Sequence, residues 1–152
     1  MIKQNIVFVE NKAGSLKRVT GLLANNNINI YGFACFDAPE FAIFRMICDD
    51  SDKAEIILNQ SGYMNRITQA IVVDMKDQVG GLDELLKIMA DSNVSLDYIY
   101  TSFHRKDLRP VVILHSEDIT VTESVLKNNG FKVFSAADEL EKKETADIIA
   151  SQ

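Results

Sequence analysis

One internal repeat, continuous over its first half, constrains this chain more than any other feature. Lay Val9 to Leu16 over Met75 to Leu82, and glycine falls on glycine (Gly14, Gly80) and leucine on leucine (Leu16, Leu82). The same offset of 66 pairs Val19 with Leu85, Leu22 with Ile88, Leu23 with Met89 and Ala24 with Ala90. It goes on to pair Asn27 with Asn93, Ile28 with Val94 and Ile30 with Leu96. Further along the offset becomes 68, and Asp50 meets Asp118, Glu55 meets Glu123, Leu58 meets Leu126, Gly62 meets Gly130 and Tyr63 meets Phe131. Two residues have therefore been added in between, most simply in the loop from Phe103 to Pro110. A surface loop absorbs such an insertion without disturbing a core. Chance aligns one Gly-x-Leu pair, but not this many apolar and glycine positions in one register.

Each copy reads as the same run of elements. Ile6-Val7-Phe8-Val9 and Ile71-Val72-Val73 are β-branched and aromatic runs of strand length. A glycine turn follows. Leu16, Val19, Leu22 and Leu23 then recur at helical spacing, as do Leu82, Leu85, Ile88 and Met89, giving one apolar face to lay on a sheet. Asn25-Asn26-Asn27 and Ser92-Asn93 compete for backbone bonds and stop those helices. Residues 28–36 and 94–103 read as second strands, Asp37 to Glu40 as a turn and 41–48 as a third strand. Asp50-Ser51-Asp52 opens a second helix with acidic residues where the helix dipole favours them, and Ala54, Ile57 and Leu58 form its buried stripe. Gly62 and Gly130 stand where a left-handed residue ends a helix. Residues 64–68 and 132–134 supply last strands.

The order strand, helix, strand, strand, helix, strand, read twice, is an α+β chain of two ferredoxin-like βαββαβ modules, with antiparallel sheets and helices on one face. The expected boundaries are 1–69, 70–136 and a tail at 137–152. A module of this size buries a small share of its surface and has two open sheet edges, so duplication serves both stability and edge protection. In the tail, Ser135 stands at capping-box spacing from Asp138 and can start one more helix. Beyond Leu140 the chain is charged and expected to fray.

Composition narrows the function. The formal net charge is -6 with a sequence pI of about 4.9, which opposes a nucleic-acid surface because phosphate contacts want cations. No apolar run is long enough for a membrane span and no signal peptide is visible. Cys35 and Cys48 are not in a CxxC spacing, so a reducing cytoplasm is the default location. His104 and His115 form no recognised metal spacing, and no metal or cofactor is expected. His115 falls in a strand, where a satisfied histidine is the ordinary reading. The Arg105 to Arg109 loop reads as solvated. No nucleophile triad, P-loop or dinucleotide fingerprint is visible, and neither glycine turn carries the arginine that an acylphosphatase-like site would need.

The glycine turns are the functional candidates. Asn11-Lys12-Ala13-Gly14-Ser15 and Asp77-Gln78-Val79-Gly80-Gly81 each put a glycine just before a helix. Free amides there can hold a carboxylate, and the Asn or Asp side chain can accept from an ammonium group, which together match the two ends of an amino acid. The plain alternative is that the glycine only makes the turn and the Asn or Asp only caps it.

The segment Glu10 to Leu16, followed by Asn27-Ile28-Asn29-Ile30, is similar to the serine-sensing ACT domain of phosphoglycerate dehydrogenase, and the resemblance spans both copies from about Ile2 to Phe134. It implies a non-catalytic regulatory protein that binds an amino acid where two modules meet. It also implies a homodimer and a metabolic enzyme as partner. The matching ligand positions are Asn11, Ala13, Gly14, Ser15 and Asn29 in the first copy. In the second they are Asp77, Val79, Gly80, Gly81 and Ser95. One pocket would join Asn11 and Gly14 with Ser95, the other Asp77 and Gly80 with Asn29. The family's proline before the glycine is Ala13 here and Val79 in the second copy, so both turns lose a fixed φ. Its histidine on the preceding strand is Val9 and Met75, which leaves an apolar amino acid as open as serine. Asp77 in place of asparagine adds a charge, so the two sites are not expected to be equivalent. The competing expectation is an interaction subunit of an enzyme complex that binds no ligand.

Overall fold

The computed structural model describes residues 1–103 and 108–140. It divides into two compact units, one of Ile2–Ala70 and one of Met1 with the chain from Ile71 onward. His104 and the residues of the basic loop up to Asp107 lie outside the described residues, as does the tail beyond Leu140 that was expected to fray.

The first unit runs β1 (Ile2–Val9), α1 (Ser15–Asn25), β2 (Ile30–Asp37), β3 (Ala42–Cys48), α2 (Ser51–Gln60), and the start of β4 (Asn65–Asp74). Its sheet order is β2-β3-β1-β4, and every neighbouring pair is antiparallel. Val7 and Val9 of β1 turn their side chains to the same face as Phe44 and Met46 of β3, because alternate strand residues share a face. There they meet Val19 and Leu23 of α1 and Ala54 and Leu58 of α2 in one core. Both helices therefore cover a single face, as the repeat pattern predicts.

The second unit takes up β4 from Ile71 and continues through α3 (Gly81–Asp91), β5 (Leu96–Phe103), β6 (Pro110–Ser116), α4 (Ile119–Asn128) and β7 (Val133–Phe134). Its order is β5-β6-β4-β7, again antiparallel throughout. The core repeats position by position: Val73, Leu85, Met89, Val112, Leu114 and Leu126 stand where Val7, Val19, Leu23, Phe44, Met46 and Leu58 stand in the first unit. Burial of side chains of this size stabilises by about 1.5–3 kcal/mol each, so the matched apolar pattern is what selects the fold twice.

Three boundaries differ from expectation, each for a local reason. The second strands begin at Ile30 and Leu96, two residues late. Asn27 and Asn93 adopt left-handed φ of 56° and 54°, which asparagine tolerates. The amides of Ile28 and Val94 are then spent on the helix carbonyls of Leu23 and Met89, at 3.0 and 2.8 Å. The strands expected at 64–68 and 71–73 are one strand, β4, since no glycine or proline interrupts Asn65 to Asp74. The tail forms a short 3-10 turn, Ala137–Leu140, in which the Ser135 hydroxyl donates to Glu139. The added pair of residues falls where expected: four residues separate β2 from β3, and six separate β5 from β6.

The repeat extends to an irregularity that no sequence pattern marks. Along β2 the pairing jumps between Ile30 and Gly32, and along β5 between Leu96 and Tyr98. Tyr31 and Asp97 are thus the extra residues of matching β-bulges. In the second unit the bulge sets the Asp97 carboxylate 2.7 Å from Nδ1 of His115, whose ring stacks on Tyr98 with centroids 5.3 Å apart. His115 is a satisfied strand histidine, and Tyr98 stacks in turn on Tyr100.

Candidate functional site

Among the described residues, the four α-helices start in two different ways. At α2 the Asp50 carboxylate accepts from the amide of Lys53 at 3.0 Å, and at α4 the Asp118 carboxylate accepts from Val121 at 3.1 Å. These are ordinary N-caps that satisfy an orphan amide. At α1 and α3 the cap is Gly14 or Gly80, and no side-chain cap bond is made to the first-turn amides. Both glycines are left-handed, with φ of 83° and 87°, a conformation that a Cβ would strain.

The two turns match bond for bond. Lys12 and Gln78 donate their amides to the carbonyls of Glu10 and Lys76, at 2.8 and 2.9 Å. Ser15 and Gly81 donate back to Lys12 and Gln78, at 3.1 and 3.0 Å. Arg18 and Glu84 donate to the glycine caps, at 3.0 and 2.9 Å. Between these bonds the amides of Leu16 and Lys17, and of Leu82 and Asp83, point out of the helix end. With the helix dipole behind them they form an anion-accepting surface.

Each turn borders a shallow cavity, of about 410 Å³ in the first unit and about 400 Å³ in the second. Asn11, Gly14 and Ser15 line the first; Asp77, Gly80 and Gly81 line the second. Ala13 and Val79 do not line them: both are exposed, Val79 fully. Asn11 donates its side-chain amide to the carbonyl of Ala38 at 3.3 Å, which ties the turn to the β2–β3 loop and leaves its oxygen as an acceptor. Ser15 is buried and its hydroxyl accepts from Arg18. Gly81 has no room for the side chain that Ser15 carries, because a Cβ there would lie 2.3 Å from the carbonyl oxygen of Lys76.

Asn29 and Ser95 are exposed and stand at the other end of α1 and α3. Helices of 11 residues are about 16 Å long, so neither residue reaches the turn of its own module. Asn29 is also tied to Asp49, by its amide to the carboxylate at 3.0 Å and by its carbonyl to the Asp49 amide at 3.1 Å.

Other residues join the turns that sequence spacing assigned elsewhere. Leu16 and Leu82 belong to the apolar helical stripe but are 39% and 44% exposed, and each lines its cavity. Their matching exposure is the signal: an apolar side chain kept in water at the same place twice. Cys35 also lines the first cavity, and burial first, then the nearby Asp37 carboxylate, pushes its thiol up. Val9 is buried in the core and also borders the first cavity. The electrostatics of the two turns differ. Lys12 and Lys17 flank the first, and Lys12 holds Glu10 below the usual carboxylate range by an ion pair of 2.7 Å. Asp77 and Asp83 flank the second, with Lys76 beside them.

Among the described residues no group of three or more His, Cys, Asp or Glu is placed to hold a metal ion, and no helix is long and apolar enough to cross a membrane.

Among solved structures, the chain is similar to protein BT0572 from Bacteroides thetaiotaomicron. The two are 27% identical with a TM-score of 0.84, over 93% of this chain and 96% of that one. It shares its fold with the regulatory subunit of aspartate kinase from Thermus thermophilus, at 14% identity and a TM-score of 0.57 over 84% of this chain and 91% of that one. The corresponding subunit from Thermus flavus, also 14% identical, gives a TM-score of 0.56 over 83% and 91%. No curated protein matches the sequence. A family model described as an ACT domain pair matches residues 1–143. With two βαββαβ units built on one repeated core, this chain belongs to the ACT domain pair family.

Proposed function

We propose that the protein is a non-catalytic regulatory module that binds a small amino acid at its glycine turns and passes that state to a metabolic enzyme. The observation that carries this reading is the split among the helix caps. Asp50 and Asp118 close α2 and α4, whereas glycine leaves α1 and α3 open at matching places. A ligand carboxylate fits the open amides. Its ammonium group fits the Asn11 oxygen or the Asp77 carboxylate, and an apolar side chain fits Leu16 or Leu82. Because the far end of each helix lies out of reach, the second-strand residue of such a site, Asn29 or Ser95, comes from a neighbouring module. The lysines at the first turn and the carboxylates at the second give the two sites different preferences.

A thermal-shift screen against the twenty amino acids tests this. A ligand at 100 times its Kd adds about 2.7 kcal/mol to stability, so binding raises the melting temperature. Asn11→Ala and Asp77→Ala each reduce that rise while leaving the unliganded melting point near its starting value. The reading fails if no amino acid moves the transition.

A second reading is favoured by the edges. Among the described residues β2 pairs with β3 alone, and it exposes Phe33 and Phe36, at 64% and 44%. An open edge with exposed aromatics suits pairing with a second copy or a partner enzyme. In that case the protein is an interaction subunit, and the screen above returns no hit.

A further inference from the structure

A second pair of cavities lies on the other side of each glycine turn, against the turn that follows α2 or α4. In the first unit it is bordered by Phe8, Gly62 and Tyr63 and measures about 380 Å³. In the second it is bordered by Asp74, Gly130 and Phe131, together with Arg109, and measures about 300 Å³. Asp74, Gly130 and Phe131 are the repeat equivalents of Phe8, Gly62 and Tyr63, so the fold makes this hollow twice. Both volumes fall at the small end of the range for ligand pockets, about 300–1,000 Å³.

What differs is one wall. In the first unit Phe8 meets Phe41 edge to face, with ring centroids 5.4 Å apart. In the second the same two positions are Asp74 and Arg109, and Arg109 Nη1 lies 3.4 Å from Asp74 Oδ2. An aromatic pair has become an ion pair, while the aromatic residue after the glycine is kept as Phe131. The Arg109–Asp74 distance is longer than the 2.7–2.9 Å of a tight charge-assisted bond. The side chains are 41% and 19% exposed. The result is the Arg109 cation and the Asp74 anion side by side over Met75 and Phe131, both of which pack against the core, in a lining that also carries Lys76, Asp77, Glu84 and Lys132.

We propose that this cavity is a further binding site for a small zwitterion with an apolar body, a free apolar amino acid. Its carboxylate sits on the Arg109 guanidinium, its ammonium on Asp74 and its side chain on Met75 and Phe131. The site lies within one module and borders the glycine turn through Lys76 and Asp77, while its Arg109–Asp74 pair stands apart from the turn. Asp77 borders both the turn cavity and this one, whereas Arg109 borders only this one, so Arg109 separates the two.

Calorimetric titration of the full chain with leucine, valine and methionine, and with the 2-oxo acid matching leucine, tests the site. The unmodified protein is compared with Arg109→Gln, Arg109→Lys, Asn11→Ala and Asp77→Ala, each checked for native circular dichroism. The expected result is loss of one site per chain, or at least a tenfold weaker one, in Arg109→Gln. Arg109→Lys retains part of the affinity, and Asn11→Ala leaves this site intact. The amino acid binds more tightly than its oxo acid, because only it carries the ammonium group. Isotherms unchanged by Arg109→Gln overturn the site. If those same isotherms are lost in Asn11→Ala, the glycine-turn reading stands while this one falls. Binding lost in Arg109→Gln but untouched by Asn11→Ala and Asp77→Ala leaves this site standing and removes the turns. No binding of any amino acid to the unmodified protein overturns both.

Discussion

Asp50 accepts the amide of Lys53 at 3.0 Å, and 68 residues later Asp118 accepts the amide of Val121 at 3.1 Å. The repeat has kept a carboxylate cap on α2 and α4 and a bare glycine on α1 and α3. Removing a side-chain N-cap costs about 1 kcal/mol. Asp50→Ala and Asp118→Ala are each expected to lower the unfolding free energy by about that amount in urea titration, with no change in amino-acid affinity. The opposite pattern, unchanged stability with lost affinity, would mean that these carboxylates serve a ligand.

The glycines of the second turn are expected to fail differently. Gly80 has open space where a Cβ would stand, but a φ of 87°. Gly80→Ala therefore costs only the left-handed strain, about 1–2 kcal/mol. Gly81 meets the Lys76 backbone carbonyl at 2.3 Å from an added Cβ, so Gly81→Ala forces the turn apart. It is expected to be the more destabilising by at least about 1 kcal/mol. Equal losses in urea unfolding would show that the turn is looser than drawn.

The two thiols report the first cavity. Cys35 is exposed and Cys48 is buried, donating to the Asn5 side-chain oxygen at 3.3 Å. A disulfide reagent is expected to modify one thiol per native chain and two in denaturant. Burial raises both thiols, Cys35 with help from Asp37. A raised value means less thiolate at neutral pH, so Cys35 labels slowly there and faster as pH climbs past the ordinary thiol range. Because Cys35 lines the turn cavity, a bound amino acid should slow the labelling. A rate indifferent to every amino acid would place the ligand elsewhere.

Much of this was legible in the sequence because its causes are local or periodic. The offset from Gly14 to Gly80 and from Gly62 to Gly130 exposes the duplication, and the apolar spacing of Val19, Leu23, Leu85 and Met89 marks the buried helix faces. Leu16 and Leu82 fit the same spacing, yet they stand in the first helical turn beside the glycine cap, where they are exposed and line the cavities. Periodicity does not see which residues of an apolar stripe the core covers. The bulges at Tyr31 and Asp97 also lay beyond reach, since a bulge is a property of two paired strands. Arg109 was read as part of a solvated loop. Its contact with Asp74 joins residues brought together only by β4–β6 pairing. The same holds for Asn11 and Asn29: the family resemblance gives both as ligand positions, but the length of α1 holds them apart within one module.

The most direct test of an amino acid at the glycine turns is a two-dimensional amide NMR titration with the best hit from the thermal screen. Carboxylate binding at the open helix ends is expected to shift the amides of Leu16 and Lys17, of Leu82 and Asp83, or of both pairs. Those shifts saturate at the calorimetric affinity, and the first-turn amides of α2 and α4 stay in place. Saturable binding that leaves all four of those amides unmoved would contradict it.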